Sequence, residues 1–117
     1  SDQCDPAIYA AIAAGASMSI LPEQQGNWGY AQQEMDDETA VFTLAAGIAG
    51  RLYLSGFVNR MDERRLRLVR GAIEAHRQVL RNQSGQVPFW PLGLPVFRAI
   101  GWPVGFCLMR IITRPAI

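Results

Sequence analysis

Between residues 62 and 82 the apolar positions recur at helical spacing. Leu66, Val69, Ile73 and Leu80 form one stripe, widened by Leu68, Ala72 and Val79, with Arg, Glu and Gln on most other positions. That period predicts an amphipathic helix over Asp62 to Asn82. Glu63–Arg67 and Arg70–Glu74 have i,i+4 spacing, and such pairs are worth about 0.3–0.5 kcal/mol each. A second helix is predicted from Asp36-Asp37-Glu38, whose acids suit the positive end of a helix dipole. Its apolar face holds Val41, Phe42, Leu44, Ala45 and Ile48, and Gly47 and Gly50 lie near its end. A shorter, Ala-rich helix is predicted over Ala7 to Ala14, with Asp5 as N-cap, Pro6 in the first turn and Gly15 at the end. The remaining apolar runs are too short for helices. Ser17 to Leu21 and Arg51 to Leu54 read as strands, and the Gly-, Gln- and Asn-rich stretch from Pro22 to Met35 reads as a loop.

The order helix, strand, long loop, helix, strand, loop, helix predicts an α/β fold with two short parallel strands and crossover helices. Two strands do not make a stable sheet of this kind alone. They fit the last part of a (β/α)8 barrel, whose chemistry sits on the loops after the strands. Loops 22–35 and 55–61 both follow predicted strands, which places them on that face. The opening Ser1-Asp2-Gln3 then forms the tip of the preceding strand.

Composition sharpens this picture. The chain has 117 residues, and 50% hydrophobic content against 18% charge fits a chain that expects burial on several sides. It begins with Ser inside a motif, which fits a piece of a longer protein. No basic stretch followed by an apolar run marks a signal peptide, which leaves the compartment open with a cytoplasmic setting slightly favoured. Residues 1–50 hold seven acids and no basic residue, and all eleven basic residues, every one Arg, follow. The arginines are interleaved with acids on a helical face, which argues against a nucleic-acid arm. The apolar stretch 99–109 is interrupted by Pro103 and falls short of the about 20 residues a membrane span needs.

Two cysteines, Cys4 and Cys107, make neither a metal site nor a disulfide framework. His76, the single histidine, reads as a helix-surface residue. No HExxH, GxSxG or phosphate-binding glycine loop is present, so no metal or other cofactor is expected.

The stiff segment Val87-Pro88-Phe89-Trp90-Pro91-Leu92-Gly93-Leu94 places a Phe-Trp pair between prolines, which suits a crossing between domains. With Leu54-Ser55-Gly56-Phe57-Val58-Asn59-Arg60-Met61 and the opening Ser1-Asp2-Gln3-Cys4-Asp5-Pro6, it resembles the α-galactosidases of glycoside hydrolase family 36. The resemblance covers about residues 1–95. It implies residues 1–87 as the C-terminal portion of a (β/α)8 catalytic domain, and 88–117 as an interdomain segment entering a C-terminal β domain. It implies a retaining hydrolase of terminal α-linked galactose, with Asp2 as general acid/base, Gln3 and Trp28 contacting substrate, and a nucleophile upstream of this chain. Two departures stand out: Asn59 replaces the usual Asp, and residues 96–117 do not follow the family pattern. The residues themselves also allow Asp2 to act as a helix cap and Trp28 to pack under its own loop. The alternative function is a small helical interaction module without catalysis. As a barrel fragment the chain alone is expected to be a helix-rich, self-associating species, because its apolar faces lack the barrel they close against.

Overall fold

The computed structural model describes residues 3–82, 86–91, 93–95 and 108–111. Three helices and a pair of parallel strands make a mixed α/β arrangement, with a separate antiparallel pair toward the C-terminus. Helix α1 spans Pro6–Ala16, and the Asp5 carboxylate accepts the backbone N–H groups of Ala7 and Ile8 at its start. Helix α2 spans Asp37–Ile48 under an Asp36 cap, and α3 spans Glu63–Arg81 under an Asp62 cap. An Asp oxygen at each of these starts satisfies N–H groups that the first turn leaves unpaired. All three helices therefore lie where the hydrophobic spacing puts them.

The first strand does not. Residues 17–20 continue the exit turn of α1: the N–H groups of Met18, Ser19 and Ile20 bond back to the carbonyls of Gly15 and Ala16. Pro22–Gln24 follows as one turn of 3-10 helix. Strand β1 is Gly26–Tyr30, inside the stretch whose polarity reads as a loop. Its polar residue Asn27 is only 2% exposed because its side chain is fully bonded: the amide donates to the Ala46 carbonyl and its oxygen accepts from Gln25. Gln25 also donates to the Ala13 carbonyl and accepts from the Ser17 hydroxyl. Gln25 and Asn27 thus become interior because their side-chain amides bond to each other and to groups of α1, α2 and the turn between α1 and β1.

Strand β2 is Arg51–Ser55, pairing with β1 in parallel from Gly26 opposite Arg51 to Tyr30 opposite Ser55. Helix α2 lies on one face of the pair. A Cβ on Gly47 would come within 2.4 Å of Leu52 Cδ1 and 3.3 Å of the Gly29 backbone nitrogen. Only glycine permits so close an approach of helix and strand. The core between α2 and α3 contains Ala31, Leu44, Met61, Val69 and Ala72, with Ile48, Leu66, Leu68 and Ile73 packed against it. His76 is not a plain surface residue. It is half-buried, and its Nε2 lies 2.9 Å from the Gly50 carbonyl and 3.2 Å from the Leu52 nitrogen, tying α3 to the start of β2.

The ion pairs on α3 also differ from the spacing argument. Arg70 pairs with Glu63 two turns away, and Arg77 with Glu74 at i,i+3. The arginine side chain is long enough to span either distance on an exposed helix face. Strand β3, Gln86–Phe89, pairs antiparallel with β4, Leu108–Ile111. The Trp90 indole donates to the Ala14 carbonyl, so the proline-flanked segment is fastened to the C-terminal end of α1. Most of the apolar stretch 99–109 lies outside the described residues. No helix among the described residues is long and apolar enough to cross a membrane.

Candidate functional site

Parallel pairing brings the C-terminal ends of β1 and β2 side by side, at Tyr30 and Ser55. The loops that leave them, 31–36 and 56–62, run together into the N-termini of α2 and α3. Gly56 makes this possible. Its φ is +117°, and a Cβ there would stand 2.2 Å from the Ala31 carbonyl oxygen. Both facts call for glycine at the point where the loops touch.

The loops are then latched. Gln33 donates from Nε2 to Asp62 Oδ2 at 2.9 Å and accepts the Asp62 backbone N–H at Oε1, also at 2.9 Å. Asp62 Oδ1 accepts the Arg65 N–H at 2.8 Å, closing the start of α3. Asp36 takes the Thr39 N–H and hydroxyl, each at 2.8 Å. These bonds stabilise the ionised form, so the Asp36 and Asp62 carboxyls lie below the usual aspartate range. For Asp36 the leading cause is the Thr39 backbone N–H, and for Asp62 the Arg65 backbone N–H.

A cavity of about 320 Å³ opens between the loops, lined by Gln33, Met35, Asp36, Asp37, Asp62, Arg64 and Arg65. Arg64 forms an exposed ion pair with Asp37. Arg65 is the unusual member, at 5% exposure. Its Nη2 donates to the Met35 carbonyl and lies 3.5 Å from Asp37 Oδ1. Its Nε and Nη1 are buried with no hydrogen-bond partner. An unpaired buried donor costs about 1–3 kcal/mol, more when charged. The cavity is thus lined by carboxylates with acceptor capacity to spare, while the unpartnered Arg65 nitrogens are closed off beneath it.

Sequence reasoning places the polar face on loops 22–35 and 55–61, and the structure moves it to 31–36 and 56–62. Trp28 consequently belongs to a strand rather than to a loop. It is half-buried between Tyr30 and Tyr53, with ring centroids 6.0 and 5.8 Å away, on the sheet face opposite α2. The Tyr9 hydroxyl accepts its backbone N–H, and burial is the main cause that pushes the Tyr9 hydroxyl above its ordinary pKa. Gln3 accepts the Asp5 N–H at 2.9 Å, in the turn that starts α1. Neither Gln3 nor Trp28 lines the cavity, and Asp2 lies outside the described residues.

Gln33 and Arg65 carry no functional reading in the sequence, and Asp37 reads there only as an acid at a helix start. One signal was there: Arg65, Val69 and Ala72 share a helical face, and an arginine on a buried stripe asks for a partner. Among the described residues no group of three His, Cys, Asp or Glu side chains is placed to hold a metal ion. Comparison with protein-family models, curated proteins and solved structures finds no match to this chain.

Proposed function

We propose that the chain is the C-terminal part of the catalytic domain of a retaining glycoside hydrolase acting on terminal α-linked galactose, with Asp2 as general acid/base. The observation that carries this reading is the placement of the family-like segments. Residues 54–61 pass from the end of β2 into the loop latched to 31–36, and residues 3–5 lead into α1. In a (β/α)8 barrel each helix follows a strand, and on this reading a strand precedes α1. The proline-flanked segment 88–95 leaves α3 and is anchored on α1 by Trp90.

The sheet supports the same reading. One face is covered by α2, as barrel helices cover the outside. The other carries Trp28 and Tyr53, and Tyr53 stays 45% exposed here, as a face that awaits further strands would. In the reaction Asp2 gives its proton to the glycosidic oxygen while an upstream carboxylate, about 5–5.5 Å from it, attacks the anomeric carbon. The Asp2 carboxylate then takes a proton from water, which releases galactose with retained configuration. A second reading, a helical interaction module without catalysis, is favoured by the exposed Met18, Ile20, Leu21, Val41 and Phe42.

The test is Asp2→Ala in the intact parent enzyme, with the 117-residue chain alone as an inactive control on an aryl α-galactoside. The substitution is expected to slow hydrolysis of poor leaving groups by about 10²–10⁴-fold. The loss is smaller for activated leaving groups, and azide partly restores turnover by attacking the glycosyl-enzyme. Equal losses on good and poor leaving groups, without rescue, reject the assignment, as does authentic turnover by the chain alone.

A further inference from the structure

We infer that the His76 ring is a protonation-sensitive clasp on the outer edge of β2: neutral, it accepts the Leu52 N–H; protonated, it donates to the Gly50 carbonyl and leaves that N–H free. Parallel pairing fixes which backbone groups point outward. Arg51 stands opposite Gly26, and its N–H bonds inward to the Gln25 carbonyl at 2.7 Å. Backbone groups alternate sides along a strand, so the Gly50 carbonyl and the Leu52 N–H point away from β1. One residue of a further parallel strand would bond both, with its own N–H and C=O. His76 reaches them from α3 with a single atom, Nε2, 2.9 Å from the carbonyl oxygen and 3.2 Å from the nitrogen.

A strand residue brings its donor and its acceptor on separate atoms. Nε2 carries either a lone pair or a proton, so it serves one of the two groups at a time. The neutral ring can keep its proton on Nδ1. An orphaned N–H is rarer in folded proteins than an under-bonded carbonyl, so Nε2 then accepts from Leu52. In the imidazolium both ring nitrogens are donors, and Nε2 bonds the carbonyl alone. Charged neighbours supply no substitute for that carbonyl. On β2, Arg51 lies between the two edge groups, and on α3 Glu74 and Arg77 pair with each other. Residues 39–50 carry no titratable side chain, and Tyr30 and Tyr53 stand beside Trp28 on the sheet face opposite α2. The outer edge of β1 lacks this dependence. There the Trp28 N–H is accepted by the Tyr9 hydroxyl, whose proton is held more firmly than usual, chiefly through burial.

Covering an edge keeps it from recruiting another chain. Histidine changes charge between about pH 5 and about pH 8, so acid uncovers the middle of the β2 edge and leaves β1 covered. Association through the exposed apolar side chains uses other groups. The inference does not depend on the glycosidase reading, under which a neighbouring strand of the parent takes both backbone groups and displaces the ring.

Hydrogen exchange at residue resolution on the full 117-residue chain tests this, corrected for the intrinsic pH dependence of exchange. From about pH 7.5 to about pH 5.5 the protection of the Leu52 amide is expected to fall about tenfold, as for one lost hydrogen bond, while that of Trp28 stays level. His76→Gln offers a carbonyl to Leu52 and an amide to Gly50 on separate atoms, so it should abolish the pH dependence. His76→Phe should leave Leu52 weakly protected at both pH values. Protection of Leu52 that does not change with pH, a fall shared by Trp28, or a fall that persists in His76→Gln overturns the inference. The comparison of the two amides in the unaltered chain decides the matter if a variant loses its fold.

Discussion

Asp62 divides its two carboxylate oxygens between two jobs. Oδ1 accepts the Arg65 N–H and starts α3, and Oδ2 accepts from Gln33 and holds loop 31–36 against loop 56–62. Asp62→Ala is therefore expected to weaken α3, and Asp62→Asn to weaken it less, since Asn caps nearly as well. Thermal loss of the helical circular-dichroism signal measures this. The pH dependence follows from the lowered pKa. A carboxyl whose folded pKa is below its unfolded value, near about 3.9, contributes its full stabilisation above that value. The contribution is lost as pH falls through the folded pKa. Helicity should hold from pH 7 to about 4 and decline below, and the decline should shrink in Asp62→Ala while the Asp36 cap keeps a remainder. An identical acid profile in the variant counts against the cap. The helix-starting role of Asp62 was legible from its place before an amphipathic run. The burial of Arg65 was not, because it depends on the Met35 carbonyl arriving from another loop.

Helices were legible at the scale of elements because their signals are local: an acid cap, then apolar residues at helical spacing. Strand β1 was not. Its buried positions are Asn27 and Gly29, neither of which registers as apolar. Asn27 is interior because Gln25 and Ala46 satisfy it, and Gly29 because α2 presses on it. Ile20 and Leu21, which do register, are exposed beyond the end of α1. The helix–strand contact makes a testable prediction at Gly47. Alanine there gains about 1 kcal/mol of helix propensity. It also places a methyl against Leu52 Cδ1 and the Gly29 backbone, and such overpacking costs about 1–3 kcal/mol. The leucine can turn aside but the strand backbone cannot, so the net effect is loss. Hydrogen exchange should show the amides of β1 and β2 opening faster in Gly47→Ala while those of α3 are little changed. Slower exchange in β1 would mean that the methyl fills space instead of forcing α2 away.

For the whole molecule the deciding balance is between a small interior and a large uncovered apolar surface. Among the described residues the buried hydrophobic ones are mainly alanines: Ala11, Ala13, Ala14, Ala31, Ala40 and Ala72. Larger groups remain outside: Met18, Leu21, Val41, Phe42, Tyr53 and Phe57 are each 45% exposed or more. An interior lined by methyl groups contributes little, at about 25 cal/mol per Å² of apolar surface removed from water. Among the described residues the β1–β2 sheet has two strands, each with one edge that has no neighbour in that sheet. Such edges with apolar surface beside them favour association. The isolated chain is therefore expected to form helix-rich, self-associating species with a broad thermal transition. Helix α3 should persist longest, because it is long, capped at Asp62 and carries the Glu63–Arg70 and Glu74–Arg77 pairs. Sedimentation velocity reports the association, and circular dichroism during heating reports the breadth. Adding the upstream part of the parent should convert the chain to a cooperative unit if the aromatic face of the sheet belongs inside a barrel. A monodisperse monomer with a sharp two-state transition would show that the chain is a self-sufficient domain. That result would favour the interaction-module reading over the barrel.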